Sequence, residues 1–171
     1  MQCVMTVGVS ASGKSSFADT YNPYTNVIER DSFRFGVVCK DCTGWKGKKP
    51  YKFTQQNEQK VSDLVEQAVL FAAQHQEDII LSDTWLNKKN RLKMYEFVKG
   101  LGYNIKVIVF EVPLKIAIER DSCRGNFSVG EDIIRSQWDK FQGAKSQLLA
   151  EKDLYNLEVV YFENYKDYKW K

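Results

Sequence analysis

Apolar residues follow two kinds of pattern along the chain, short continuous runs and longer stretches with helical spacing. Near-continuous apolar runs are typical of strands that are buried on both faces of a parallel sheet. The strand candidates are Cys3 to Val7, Asn26 to Glu29, Ile79 to Ser82, Ile105 to Phe110 and Leu157 to Phe162. Because helical patterns separate these runs, the chain predicts an α/β fold, a doubly wound and mainly parallel sheet with helices on both faces.

The helical stretches have apolar residues three and four positions apart. The candidates run from about Lys14, from about Thr54 to His75, from about Lys88 to Leu101, from Pro113 onward, and from about Glu131 to Leu149. The last of them is expected to bury Ile133, Ile134, Trp138 and Phe141. Pro113 suits a helix start, and Gly102 suits a helix stop.

Length and composition predict one globular domain over residues 1–171, with 43% hydrophobic and 27% charged residues. No apolar run approaches the length of a membrane span, and the first residues lack the features of a secretory signal. We therefore expect a cytosolic protein without a membrane partner.

Four cysteines, Cys3, Cys39, Cys42 and Cys123, are too few and too scattered for a disulfide framework, so reduced thiols are expected. The pair Cys39 and Cys42 has a spacing that can also bind zinc or cycle between redox states. No second pair follows, and the single histidine, His75, lies far along the chain. Coincidental spacing is favoured over a metal site.

The motif with the most specific chemistry is Gly8-Val9-Ser10-Ala11-Ser12-Gly13-Lys14-Ser15, a complete G-x-x-x-x-G-K-[ST] phosphate loop between a strand and a helix pattern. It predicts binding of ATP as phosphate donor, with Mg²⁺. Lys14 is expected to reach the β and γ phosphates, and the Ser15 hydroxyl is expected to ligate Mg²⁺. The remaining nucleotide-binding candidates in the loop are Gly8, Ser10, Ala11, Ser12 and Gly13.

Polar residues directly after the second and third strands are candidates for the acceptor site. Asp31 can accept a proton from an attacking hydroxyl, and Arg34 can hold a phosphate of the acceptor. The alternative is that Asp31 caps a helix with Arg34 as an exposed partner. Asp83 and Thr84 can support Mg²⁺ or the acceptor, or Asp83 can simply form an Asx turn.

Two arginines, Arg120 and Arg124, lie on a glycine-bearing loop between helices. They suit a lid, at about 120–130, that closes over the triphosphate and stabilises charge on the transferring phosphoryl group. Phosphoryl transfer depends on positioning and electrostatics, for which a planar guanidinium is apt. The alternative is a solvated basic turn.

The segment from Arg34 to Lys60 has seven basic residues against Asp41 and Glu58. Its aromatic residues are Phe35, Trp45, Tyr51 and Phe53. This composition fits a groove that follows a single-stranded phosphate backbone and stacks bases, and it fits a solvated loop equally well. An aromatic tail, Tyr161, Phe162, Tyr165, Tyr168 and Trp170, is expected to pack on its own domain, the alternatives being an oligomer contact or a stacking strip.

As an ordered set, these groups resemble the kinase domain of the phage-type polynucleotide 5′-kinases, the T-even phage polynucleotide kinase family. The resemblance covers nearly the whole chain and rests on Gly8 to Ser15, Arg30-Asp31-x-x-Arg34, Tyr51-Lys52-Phe53-Thr54, Ser82-Asp83-Thr84-x-Leu86-Asn87 and Arg120-x-x-x-Arg124-Gly125.

The resemblance implies ATP- and Mg²⁺-dependent phosphorylation of 5′-hydroxyl ends of DNA or RNA, in the host cytoplasm if a phage encodes the chain. Lys14, Ser12 and Ser15 match the family's ATP and Mg²⁺ contacts, and Asp31 matches its general base. Arg34 matches the residue that grips the acceptor's 3′-phosphate, with Asp83 and Thr84 shaping the same pocket. Arg120 and Arg124 match the lid arginines, Arg124 being nearest the transferred phosphate.

Two departures from the family limit what is expected. The Asp-x-Asp-x-Thr signature of the phosphatase domain is missing, so 3′-phosphatase activity is not expected, and the basic insertion 43–50 is poorly matched. The alternatives are a kinase for a small metabolite or a modified base in DNA, and a non-catalytic nucleotide-binding module.

Overall fold

Five parallel strands form the single sheet of the computed structural model, which describes residues 1–21 and 25–162. The strands are β1 (Gln2–Val7), β2 (Asn26–Glu29), β3 (Ile79–Ser82), β4 (Asn104–Phe110) and β5 (Glu158–Phe162). Their spatial order is β2-β3-β1-β4-β5, and every pairing is parallel. The predicted fold class is confirmed. Of the predicted aromatic tail, Tyr161 and Phe162 belong to β5, and Tyr165, Tyr168 and Trp170 lie outside the described residues.

The helices cover both faces of the sheet. They are α1 (Lys14–Tyr21), α2 (Arg30–Phe33), α3 (Gln55–Gln74), α4 (Lys88–Gly100), α5 (Leu114–Ser122) and α6 (Glu131–Tyr155). A short π-helix, Arg34–Val38, continues α2, and a 3₁₀ turn, Gly125–Phe127, lies between α5 and α6. Buried side chains of α3, α4 and α6 share one core cluster with the strands, while Ala18 of α1 packs on Val4 and Ile80 across the sheet. No helix among the described residues is long and apolar enough to span a membrane.

The predicted inward face of α6 is correct except at one residue. Ile134 and Phe141 are fully buried, whereas Ile133 is 49% exposed, so its prediction as a core contact is wrong. Neighbouring positions of a helix point about 100° apart, and the buried stripe follows Ile134, which leaves Ile133 on the solvent side. The helix also continues to Tyr155, beyond the predicted end at Leu149.

Cys39 and Cys42 form a disulfide, so the expectation of reduced thiols is wrong for this pair. The π-helix ends at Val38, and the chain then turns so that the Cys42 N–H donates to the Cys39 carbonyl at 3.1 Å. This turn brings the two Cα atoms to 5.4 Å, within the range for a disulfide. Cys3, which is buried, and Cys123, which is exposed, are free thiols as predicted.

Strand register aligns three chain segments at one edge of the sheet. Thr6 of β1 and Glu29 of β2 both pair with Ser82 of β3, so these strands end at the same level. The phosphate loop and the residues after β2 and β3 therefore leave the sheet side by side, at the carboxyl edge where α/β folds bind ligands.

Candidate active site

A cavity of about 760 Å³ opens at this carboxyl edge. Its wall contains most of the residues that the sequence singles out: Ser10, Ala11, Gly13, Lys14, Ser15, Asp31, Asp83, Thr84, Arg120 and Arg124. Gly8 and Ser12 are buried within the loop and do not line this cavity. Arg34 lines an adjoining cavity of about 340 Å³. The structure thus brings the phosphate loop, the residues after the strands and the lid arginines to one place.

The phosphate loop is packed tightly against neighbouring backbone. The Gly8 N–H donates to the Thr84 carbonyl at 3.1 Å, which joins the loop to the segment after β3. A Cβ on Gly8 would lie 3.0 Å from the Phe110 carbonyl oxygen, so a larger residue would push the loop off the sheet. The Ser10 N–H donates to Gln137 Oε1 at 2.7 Å. Gln137 comes from α6, and no sequence signal marks it.

Lys14 is buried, and its ammonium lies within the loop. Its Nζ donates to the Val9 carbonyl at 2.6 Å and to Ser12 Oγ at 3.3 Å. Burial lowers the pKa of Lys14 to about 8, although the nearby Asp83 carboxylate acts in the opposite direction. An anionic ligand in the cavity would therefore stabilise the protonated form of Lys14.

The two carboxylates after the strands have different surroundings. Asp31 is half-exposed, and its Oδ1 accepts from Arg34 Nη1 at 2.7 Å. It does not cap the helix, because α2 begins at Arg30 and Glu29 occupies the cap position. Asp83 accepts the Thr84 N–H at 2.6 Å, and its other oxygen lies 3.6 Å from Arg30 Nε.

Glu58, on the first turn of α3, organises the basic side of the site. Arg34 donates to both of its oxygens, from Nε at 3.0 Å and from Nη2 at 2.6 Å. Arg30 Nη2 and the Tyr51 hydroxyl also donate to it, at 3.1 and 3.0 Å. Burial alone raises the pKa of Glu58, but the hydrogen bonds and charge of Arg34, together with the hydrogen bonds from Arg30 and Tyr51, outweigh burial and bring this pKa to about 2. The carboxylate is therefore ionised throughout the neutral range and fixes the Arg34 guanidinium beside Asp31.

Sequence reasoning missed Glu58 as a site residue. The sequence did offer one signal, because Glu58 is one of two acidic residues in a strongly basic segment and lies four positions after Thr54, which caps α3. Spacing alone could not show which of the surrounding cations it pairs with.

The two arginines predicted to belong to a lid, Arg120 and Arg124, lie at the end of α5 and on the turn after it, which a buried carboxylate stabilises. Asp121, at the end of α5, accepts from Ser128 Oγ at 2.8 Å and from the Gly130 N–H at 2.9 Å. Arg124 lies 3.6 Å from the same carboxylate, is partly exposed, and lines the cavity. Arg120 lines the cavity one helical turn earlier. The turn is held in place by these contacts and forms part of the cavity wall, unlike a freely solvated turn.

The basic insertion docks on the lid turn. The N–H groups of Trp45 and Lys46 both donate to the Asn126 carbonyl, at 2.8 and 3.0 Å. Gly44 makes this contact possible, because its φ is +111° and a Cβ there would lie 2.5 Å from the Asn126 oxygen. Lys46 Nζ also donates to Ser128 Oγ at 3.3 Å. The insertion is therefore ordered and is held against the turn that follows α5.

Gly44→Ala is expected to release the insertion from the lid turn. The added methyl group cannot coexist with the Asn126 carbonyl, and the positive φ adds backbone strain on the order of 1–3 kcal/mol. Amide hydrogen exchange at Trp45 and Lys46 should accelerate, while exchange in the β1 core stays slow. Gly36→Ala is the matched control, because a Cβ at Gly36 meets nothing within 4 Å. Unchanged protection at Trp45 in the Gly44 variant would show that the contact tolerates a side chain.

Oxygen donors in the cavity suit a magnesium ion. The exposed Ser15 hydroxyl, Asp83 and Glu29 all line the wall, and the buried Glu29 Oε1 has no hydrogen-bond partner within the described part of the chain. Hard oxygen ligands of this kind fit Mg²⁺. Over residues 1–21 and 25–162 there is no cluster of three or more acidic, histidine or cysteine side chains that could hold a metal by itself. An ion here would therefore share its coordination with a bound phosphate and water.

Comparison with known families shows which domain family the chain belongs to. The sequence model of the AAA domain family matches residues 3–148, which include the phosphate loop, both post-strand carboxylates and the lid arginines. The chain belongs to the AAA domain family. Membership in this family, whose members carry the phosphate loop, implies the use of ATP.

One curated relative combines two activities in its name. The AAA domain described here is 27% identical over 144 residues to a bifunctional polynucleotide kinase/RNA ligase of Autographa californica nuclear polyhedrosis virus. The match covers 82% of this chain and 21% of that protein. The chain thus spans about a fifth of the length of its relative.

Solved structures support the fold. The AAA domain superposes on a chain of the Pnkp1/Rnl/Hen1 RNA repair complex with a TM-score of 0.71 and 19% identity, covering 85% of this chain and 45% of that one. A gluconokinase from Sinorhizobium meliloti 1021 matches with a TM-score of 0.59 and 15% identity, over 96% of this chain and 83% of its own. Both likenesses confirm a phosphate-loop kinase fold, which hosts acceptors of different chemistry.

Proposed function

We propose that this chain is a kinase domain that transfers the γ-phosphate of ATP to the 5′-hydroxyl end of DNA or RNA. The observation that carries the proposal is the placement of the Asp31 carboxylate on the same cavity as Lys14, with Arg34 hydrogen-bonded to it at 2.7 Å. The candidate proton acceptor Asp31, the candidate phosphate-binding cation Arg34 and the phosphate loop with Lys14 are therefore next to one another. The kinase activity named in the viral relative supports this acceptor class.

The donor side of the site binds the triphosphate. The loop N–H groups and the Lys14 ammonium would bind its phosphates, and Arg124 and Arg120 would contact them from the lid segment at about 120–130. Ser15 would hold Mg²⁺, with Asp83 and Glu29 as further oxygen donors nearby. When bound, the ion supplies positive charge against the phosphate oxygens. These residues position the γ-phosphoryl group and stabilise its negative charge.

The acceptor side positions the nucleophile. Arg34 would bind the phosphate on the 3′ side of the terminal nucleotide, and Asp83 and Thr84 would border the sugar. Asp31 takes the proton from the 5′-hydroxyl while the hydroxyl oxygen forms a bond to the γ-phosphorus. The bond from the γ-phosphorus to the bridging oxygen breaks, and ADP leaves with that electron pair. Glu58 keeps Arg34 in place without itself touching the reacting atoms.

The affinity for ATP is expected to depend on pH through Lys14. Its pKa of about 8 lies below the ordinary lysine value, so the unliganded side chain loses its proton above pH 8. Binding of the triphosphate then requires uptake of a proton, and the Kd for ATP should rise by up to about tenfold per pH unit above pH 8. Titrations from pH 7 to pH 10 would measure this. Lys14→Arg should flatten the profile because guanidinium stays protonated. A flat profile in the unsubstituted protein would contradict the assignment.

A phosphate-transfer assay tests the proposed function. The protein would be mixed with radiolabelled ATP, Mg²⁺ and a 5′-hydroxyl oligonucleotide, beside a panel of nucleosides, sugars and base-modified DNA. Label on the oligonucleotide end is the expected result. Label only on a small molecule or on a modified base would assign another acceptor, and label on none with ATP bound would identify a nucleotide-binding module.

A further inference from the structure

Phe53 is an exposed aromatic side chain that its neighbours hold in place. It is 66% exposed, yet its ring stacks on Trp45 with 5.2 Å between centroids and 17° between planes. The Tyr51 ring meets it edge-on at 5.2 Å. Trp45 in turn packs on Phe35, and Phe35 contacts Phe127 of the lid turn. A ring fixed in this way can offer its surface to a ligand with little loss of side-chain entropy.

This ring lies next to the proposed acceptor phosphate site. The Arg34 guanidinium carbon is 5.5 Å from the centre of the Phe53 ring. The same guanidinium donates to Asp31 at 2.7 Å. One side chain therefore separates Phe53 from the carboxylate that faces the 5′-hydroxyl. A strand whose first internucleotide phosphate lies on Arg34 would bring its second base to Phe53.

The charge around Phe53 suits a nucleic acid strand. Residues 43–53 contain four lysines and no acidic residue. Lys46, Lys48 and Lys52 are exposed, and Lys49 makes a long ion pair with Asp41 at 3.7 Å. Exposed cations next to stacking rings are the combination that single-strand binding proteins use.

We propose that Phe53 is the stacking platform for the second base of a single-stranded 5′-hydroxyl acceptor, an inference that rests on the proposed function. Base-paired ends are poorer ligands for such a platform, because their second base is already stacked within a duplex. The subsite therefore selects single strands and 5′ overhangs of at least two nucleotides.

Steady-state kinetics on two acceptors test this subsite. A nucleoside 3′-monophosphate has the 5′-hydroxyl and the phosphate for Arg34 but no second base, whereas a short single-stranded oligonucleotide has all three. Phe53→Ala should raise the KM for the oligonucleotide roughly 5- to 150-fold, the range expected from base–aromatic stacking, with kcat unchanged. The KM for the monophosphate should not change. Phe53→Trp should restore the oligonucleotide KM.

Two controls separate stacking from an indirect effect. Phe71→Ala removes another exposed phenylalanine, 61% accessible and in contact with His75, and should leave both acceptors unaffected. An oligonucleotide that is abasic at its second position should show the raised KM with the unsubstituted protein, and Phe53→Ala should add nothing. An equal KM increase for both acceptors, or none for either, would overturn the subsite while the kinase assignment stands. Failure of the unsubstituted protein to phosphorylate either acceptor would instead overturn the proposed function and the subsite with it.

Discussion

Asp31→Asn is expected to lower the turnover number for a 5′-hydroxyl acceptor about 100- to 10,000-fold, the usual contribution of a general base. The amide has the same size as the carboxylate, and its oxygen can still accept the hydrogen bond from Arg34 Nη1 that Asp31 accepts at 2.7 Å. Arg34 also stays bound to Glu58, so the proposed phosphate site keeps its geometry. What is lost is the group that accepts the proton.

This effect should be confined to the chemical step. The Kd for ATP is expected to change less than about threefold, because Lys14 and the phosphate loop make no hydrogen bond to Asp31. Single-turnover rates and equilibrium binding of ATP would separate the two quantities. Asp63→Asn is the matched control, since Asp63 is exposed on α3 and pairs with Gln59. A turnover number within threefold of the unsubstituted value would remove Asp31 from its assigned role.

The strands could be predicted because each is marked by a short run of neighbouring residues in the sequence. All five match the prediction within one residue at both ends. The clearest cases are β1, β3 and β4, which are short runs of mostly buried residues with no alternation that could be misread. The error at Ile133 has a different origin. Two adjacent isoleucines both fit an apolar helix face in the sequence, and only the packing of α6 on its neighbours decides which one is buried.

The part of the site that follows the strands was also predictable. In a parallel sheet the segments after neighbouring strands share one edge, so Asp31 and Asp83 fall beside the phosphate loop. Residues contributed by other elements were not predictable. Glu58 and Gln137 reach the site from helices whose rotation and tilt depend on tertiary packing.

The insertion shows a further limit of the sequence. Its composition fits either a nucleic acid groove or a solvated loop, and the structure shows that it is docked on the lid turn through Gly44 and Asn126. The disulfide between Cys39 and Cys42 also depends on the local turn, which two cysteines three positions apart do not specify. The docking of the insertion and the disulfide both depend on backbone conformation, which cannot be read from residue composition.

Glu151→Ala is expected to lower the free energy of unfolding by about 3–5 kcal/mol, because it leaves a buried cation without its partner. Arg91 of α4 is fully buried and donates to both oxygens of Glu151 of α6, at 2.8 and 2.6 Å. The third guanidinium nitrogen donates to the Trp85 carbonyl at 2.7 Å. Trp85 has a positive φ of 47° and lies two residues after Asp83, so the buried pair also stabilises the loop that carries Asp83 and Thr84.

Chemical denaturation would measure this loss, and two further variants would assign it to the buried charge. Glu66→Ala breaks the exposed ion pair with Lys93 and should cost less than about 1 kcal/mol. Arg91→Met combined with Glu151→Leu should recover most of the stability lost in Glu151→Ala, since apolar residues of similar volume need no partner. A double variant as unstable as the single one would mean that the hydrogen bond from Arg91 to Trp85 carries the stability, and the loop after β3 would then be the element that the substitution disrupts.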